Sequence, residues 1–168
     1  RYHPDLKLII APRHPERFKE VEELIKKKGI EYIKRSEISP DNNLYPDVIL
    51  LDVIGELASV YSICDIAVIG GSFIPHGGQN PFEPAFWGKA IVCGPHMDNF
   101  PMIEEFYKSH AALETSHNGL FDVLNRLLSN PEEISSMGRV ALILYKRNMG
   151  ATERAIKIIR SILKDEHI

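Results

Sequence analysis

Asp65-Ile66-Ala67-Val68-Ile69 runs into Gly70-Gly71-Ser72-Phe73-Ile74-Pro75-His76-Gly77-Gly78-Gln79 and then into Asn80-Pro81-Phe82-Glu83-Pro84. Its first segment is short, apolar and β-branched, the pattern of a buried strand. The second reads as a glycine-rich loop. In the third, Asn80 suits the N-cap, Pro81 the first helical position and Glu83 the N3 position of a capping box, which predicts a helix from Pro81 to about Trp87. A buried strand that feeds a helix through a glycine loop is the unit from which parallel sheets are built, because each crossover lays a helix against the sheet.

The same alternation continues outward in both directions. Upstream, Leu6 to Ala11 reads as a strand, and Glu16 to Lys28 as a helix with Phe18, Val21, Leu24 and Ile25 at helical spacing before Gly29. Ile30 to Arg35 reads as a second strand, Ser36 to Pro46 as a loop, Asp47 to Asp52 as a third strand and about Gly55 to Cys64 as a helix. Downstream come a strand at Ala90 to Cys93, a helix from Asn99 to about Ser109, a short edge strand at Ala111 to Thr115 and a helix from Gly119 to Leu128. From Asn130 onward the chain reads as helical, with a break near Asn148-Met149-Gly150. This pattern predicts an α/β fold, a doubly wound, Rossmann-like parallel sheet covered on both faces. In such sheets ligands bind beyond the carboxyl ends of the strands. The loops after Ala11, Asp52, Ile69 and Cys93 are therefore the ones to read for chemistry.

Composition narrows the function classes. With 168 residues, 44% of them apolar, the chain suits one compact domain over residues 1–168, able to bury roughly 70% of its unfolded surface. A net charge of -3 is neither the basic excess of a nucleic-acid binder nor the bias of a disordered tail. Cys64 and Cys93 stand in apolar segments without zinc or redox spacing and read as small buried hydrophobes in a reducing compartment. No apolar run approaches the roughly 18 residues of a membrane span, so the piece is expected to be soluble by itself. Arg1-Tyr2-His3-Pro4-Asp5 leads into the first strand without a methionine start, and a cut from a longer polypeptide is expected.

Three loops carry chemistry. Paired glycines let a ligand approach the backbone, and the free amides of a helix start attract an anion with a field worth about 0.3 to 2 kcal/mol. The loop from Gly70 to Gln79 with Asn80 to Glu83 thus offers a phosphate seat. Against this, the glycines also serve as plain turns and Glu83 as a plain cap, and Asn130-Pro131-Glu132-Glu133 repeats the Asn-Pro-x-Glu pattern where no ligand is expected. Pro12-Arg13 follows the first strand and places a guanidinium, able to grip phosphate with two parallel bonds, at its carboxyl end. An exposed arginine before a helix is the bland alternative, and His14 either orients the loop or touches ligand. After the third strand, Gly55 permits close backbone approach, and Glu56 either complements a helix dipole or accepts bonds from a ribose.

These segments, Pro12-Arg13-His14-Pro15-Glu16-Arg17, Gly55-Glu56-Leu57, Gly70-Gly71-Ser72-Phe73 and His76-Gly77-Gly78 through Asn80-Pro81-Phe82-Glu83-Pro84, together with Gly94-Pro95-His96-Met97-Asp98-Asn99-Phe100, resemble the 3-deoxy-D-manno-octulosonic acid (Kdo) transferases in order from about residue 6 to residue 160. The resemblance implies the C-terminal half of a glycosyltransferase B architecture, with a CMP-Kdo donor and a lipid A precursor as acceptor at the cytoplasmic face of a Gram-negative inner membrane. It implies CMP contacts from Pro12 and Arg13, from Ile54, Gly55 and Glu56, and from Asn80, Pro81, Phe82 and Glu83. Ser72, His76, Gly77 and Gly78 are candidates for further donor contact. The family's general base, a glutamate, belongs to the N-terminal acceptor domain, so no catalytic residue and no activity are expected of this piece alone. Neither a metal nor another cofactor is expected, and no paired-aspartate metal motif is evident. Two rivals stand beside this reading: a transferase of the same architecture that uses a UDP-sugar, and a regulatory nucleotide-binding domain. A last expectation concerns Ala155, Ile156, Ile158, Ile159, Ile162 and Leu163, an apolar helical face that either packs on this domain's own sheet or meets the missing half.

Overall fold

Six short apolar runs form the six strands found among the described residues. The structure is a computed structural model and describes residues 3–39, 41 and 45–149. The chain divides into two units, Arg1–Ile63 and Cys64–Ile168.

In the first unit, β1 (Leu8–Ile10), β2 (Tyr32–Lys34) and β3 (Val48–Leu50) pair in the order β1-β3-β2. Both pairings are parallel, with Ile9 and Ile33 each opposite Ile49. Helix α1 (Phe18–Lys27) joins β1 to β2 and buries Ile25. Its end is decided by one glycine. Gly29 adopts φ 65°, and the amides of Ile30 and Gly29 donate to the carbonyls of Ile25 (3.3 Å) and Lys26 (2.9 Å), the two bonds of a Schellman cap. The helix expected from about Gly55 to Cys64 is shorter. Helix α2 starts only at Leu57, because Gly55 stands at φ 87° and cannot be helical, and after Val60 it passes into a tighter 3-10 turn at Tyr61–Ile63.

In the second unit, β4 (Ile66–Val68), β5 (Ala90–Cys93) and β6 (Ala112–Glu114) pair in parallel, with β6 at the edge as its sequence predicts. Helix α3 (Phe82–Phe86) joins β4 to β5, α4 (Ile103–Lys108) joins β5 to β6, and α5 (Leu120–Leu128) and α6 (Pro131–Asn148) follow. All four residues of β5 are fully buried. Ile91 and Cys93 pack with Ile69, Phe106 and Leu144, while Ala90 and Val92 pack with Leu127 and Met137. Successive side chains thus enter two different cores, the mark of a strand covered on both faces. Burying Ile91 and Val92 contributes about 1.5–3 kcal/mol each. Gly138 lets α6 cross α3's end, since a Cβ there would sit 2.0 Å from the Gly88 carbonyl oxygen.

Cys93 is buried as expected, whereas Cys64 is only half-buried, and neither forms a disulfide. Burial pushes the Cys93 thiol up to about 12, which keeps it neutral and unreactive. Met149 turns to an extended conformation (ψ 151°) and ends α6 at the predicted break. The apolar face from Ala155 to Leu163 lies outside the described residues. Among those that are described, no helix is long and apolar enough to cross a membrane.

Candidate functional site

Parallel pairing brings the carboxyl ends of all strands of one sheet to one edge, so the loops named from the sequence gather unit by unit. In the first unit, Arg13 follows β1, and its guanidinium is exposed with no hydrogen bond or ion pair among the described residues. Ile54, 80% exposed, and Gly55 follow β3. A Cβ added at Gly55 would meet nothing within 4 Å, so its φ of 87° serves no packing within the chain and leaves an open backbone surface.

Glu56 has a partner that neither sequence alternative named. It precedes α2, and its carboxylate accepts from Arg35 Nε at 2.7 Å and Nη2 at 3.3 Å. Nearby, Asp52 accepts from the Ser36 amide at 2.9 Å and hydroxyl at 2.6 Å. Burial raises the Asp52 carboxyl, and the Ser36 bonds more than offset this, holding it below the usual value. The sequence marks Arg35 and Ser36 only as the end of a strand and the start of a loop, with no site role. The signal was the adjacency of β2 and β3, which places the residues after Lys34 beside those after Leu50.

In the second unit, the glycine loop is held from below. Ser72, fully buried, donates to the Ile69 carbonyl (2.6 Å) and accepts from the Gly94 amide (2.7 Å). Its hydroxyl is therefore committed to joining the ends of β4 and β5, and it shapes the loop. The amides of Gly78 and Gln79 donate to the carbonyls of Gly71 (3.3 Å) and Gly70 (3.0 Å), closing the loop on itself. Gly77 and Gly78 are buried, at φ 77° and 73°. A Cβ on Gly77 would lie 2.3 Å from the Asn99 amide nitrogen, and one on Gly78 2.2 Å from the Met97 sulfur. The approach that these two glycines permit is that of the 94–100 segment. His76 is exposed, with its ring unbonded among the described residues.

The helix start at Asn80 is half as predicted. Asn80 Oδ1 accepts from the Phe82 amide at 3.0 Å, and Pro81 is already helical at φ −76° and ψ −14°. The reciprocal bond of a capping box is absent: the half-buried Glu83 carboxylate has no hydrogen bond or ion pair among the described residues. The twin at Asn130 behaves otherwise. There the Glu133 amide donates to Asn130 Oδ1 at 3.2 Å, and the Glu133 carboxylate accepts from Asn130 Nδ2 at 3.3 Å and pairs with Arg126 at 3.2 Å. One sequence pattern thus yields one bonded carboxylate and one without a partner among the described residues.

Among the described residues, no group of three or more His, Cys, Asp and Glu side chains is placed to hold a metal ion. The loops of the first unit offer an exposed guanidinium, a group suited to an anion, and an open glycine backbone; those of the second offer a short helix start and an uncommitted carboxylate, a group suited to hydroxyls.

The chain is 37% identical to a 3-deoxy-D-manno-octulosonic acid transferase of Haemophilus influenzae over 169 residues, covering 96% of this chain and 38% of that protein. It is 32% identical to the transferase of that name from Bordetella pertussis over 158 residues, covering 93% of this chain and 37% of that protein. The chain therefore spans less than half the length of these curated relatives. The crystal structure of the C-terminal CMP-Kdo binding domain of WaaA from Acinetobacter baumannii is similar with a TM-score of 0.73 and 31% identity, over 82% of this chain and 74% of that one. No family model matches the chain.

Proposed function

The chain belongs to the 3-deoxy-D-manno-octulosonic acid (Kdo) transferase family, matching its C-terminal domain, and from this premise we propose that it holds the donor nucleotide of an enzyme that transfers Kdo from CMP-Kdo to a lipid A precursor. The observation that carries the reading is the uncommitted Glu83 carboxylate beside a helix start capped by Asn80, set against the fully bonded Glu133 of the same sequence pattern. A carboxylate with free lone pairs accepts hydrogen bonds from ribose hydroxyls. Pro12, Arg13, Ile54, Gly55, Glu56 and Asn80 to Glu83 are the proposed contacts to CMP, with His76 as a further donor contact.

In the reaction, an acceptor hydroxyl attacks the anomeric carbon of Kdo while the bond from that carbon to the phosphate oxygen breaks. The hydroxyl's proton passes to a base supplied from outside this chain, and CMP leaves with the bonding pair. Negative charge grows on the departing phosphate, and the Arg13 guanidinium is the group proposed to stabilise it without a metal or other cofactor. The full-length enzyme is proposed to work at the cytoplasmic face of the inner membrane, where its lipid acceptor lies.

Calorimetric titration of this chain with CMP and with UDP tests the assignment. Stoichiometric binding of CMP, with UDP much weaker, is expected. A preference for UDP would transfer the chain to a UDP-sugar donor, and binding of neither would remove the nucleotide reading.

A further inference from the structure

We infer that Asn99 is the positioning residue of the donor loop: by bonding the carbonyls of both His76 and Gly77 it fixes the turn that meets the donor, an inference that rests on the donor-binding reading of this loop. Asn99 Nδ2 donates to the His76 carbonyl at 3.1 Å, and the Asn99 amide donates to the Gly77 carbonyl at 3.2 Å. Two consecutive carbonyls are thus held by one residue. Its side-chain amide lies flat against the Gly77 Cα, since a Cβ there would fall 2.3, 2.4 and 2.7 Å from the nitrogen, carbon and oxygen of that amide.

The turn has little hold of its own on this side. His76 is bound within the loop only through its amide, which donates to the Ile74 carbonyl at 2.7 Å, and its ring is exposed and unbonded among the described residues. Asn99, by contrast, is anchored from behind. Met97 is buried, Phe100 packs against the core that contains Phe106, and the Phe100 amide donates to the Met97 carbonyl at 2.8 Å. The order of the core therefore passes through residues 97–100 to the two carbonyls, and so to the backbone that carries His76. An amide is the group this position needs. A hydroxyl on serine is too short to reach, and an aspartate of equal shape would set an oxygen without a hydrogen against the His76 carbonyl.

Asn99 is exposed, so its replacement removes little buried surface and the fold is expected to persist. In the full-length protein, Asn99→Ala and Asn99→Asp are expected to raise the donor KM about tenfold and leave the acceptor KM unchanged. In this chain, both variants are expected to quicken hydrogen exchange at Gly77 and Gly78 while β4, β5 and β6 keep their protection. An unchanged donor KM with unchanged loop exchange overturns the inference. A uniform quickening across the strands also overturns it, because Asn99 would then be an ordinary structural residue. Should the wild-type protein transfer no Kdo, the function proposed above falls, and loop exchange by itself decides whether Asn99 holds the turn.

Discussion

Replacing Glu83 and Glu133 by glutamine in parallel separates ligand recognition from capping with one chemistry at two sites. Glu133→Gln weakens a bond to Asn130 Nδ2 at 3.3 Å and discharges an ion pair with Arg126 at 3.2 Å. The arginine is more than half exposed, so the pair is screened and the loss is about 0.5–1 kcal/mol. For a chain of this size that lowers the melting midpoint by about 1–4 °C. Glu83→Gln breaks no bond among the described residues, and its stability is expected to stay within about 0.5 kcal/mol of wild type. Its effect falls on the nucleotide. A hydrogen bond to a charged acceptor is worth about 1.5–3 kcal/mol, so CMP affinity is expected to fall about 10- to 150-fold, while Glu133→Gln leaves it unchanged. Calorimetric CMP titration and thermal unfolding of both variants provide the measurement. The reasoning is refuted if Glu83→Gln melts as early as Glu133→Gln and binds CMP like the wild type.

Arg13→Ala is expected to weaken CMP binding by about 1.5–3 kcal/mol with the melting midpoint preserved, because its exposed guanidinium bonds nothing else among the described residues; a lower midpoint with full affinity would make Arg13 structural. Ser72→Ala leaves the Gly94 amide and the Ile69 carbonyl without their buried partner and is expected to cost about 1–3 kcal/mol in chemical denaturation. A loss below about 0.5 kcal/mol would show that the two strand ends do not need this pin. Glu22 accepts from Lys26 at 2.8 Å and from Tyr32 at 2.7 Å, and these two bonds lower its carboxyl from 4.5 to about 2. A folded-state value below the unfolded one contributes stability that is fully present above about pH 4.5 and lost as pH falls through about 2. Glu22→Gln should therefore flatten the acid limb of the stability profile between those values, and an unaltered limb would contradict the assignment.

Local physics determined most of what was legible in the sequence. The six runs became strands because each is rich in β-branched or apolar residues; the central run Ala90–Cys93 kept its expected bounds, and the other five lost residues at their ends because the parallel ladders span only the rows where neighbours overlap, as in Leu8 opposite Val48 to Ile10 opposite Leu50. Gly29 and the break at Met149 were readable as helix ends because a left-handed or extended residue stops a helix wherever it stands. The Asn80 cap was equally local, a side chain reaching an amide two residues on.

Where a charged side chain has a partner distant in sequence, only tertiary structure decided it, because a carboxylate bonds whichever donor the fold brings near. Glu56 found Arg35, and Asp52 found Ser36, through the placing of β2 beside β3, which no spacing along the chain records. The glycine loop shows the same division. Four glycines in ten residues announce close approach, but only the packing of Met97 and Asn99 against Gly78 and Gly77 reveals that, for two of them, the approaching group belongs to the chain itself.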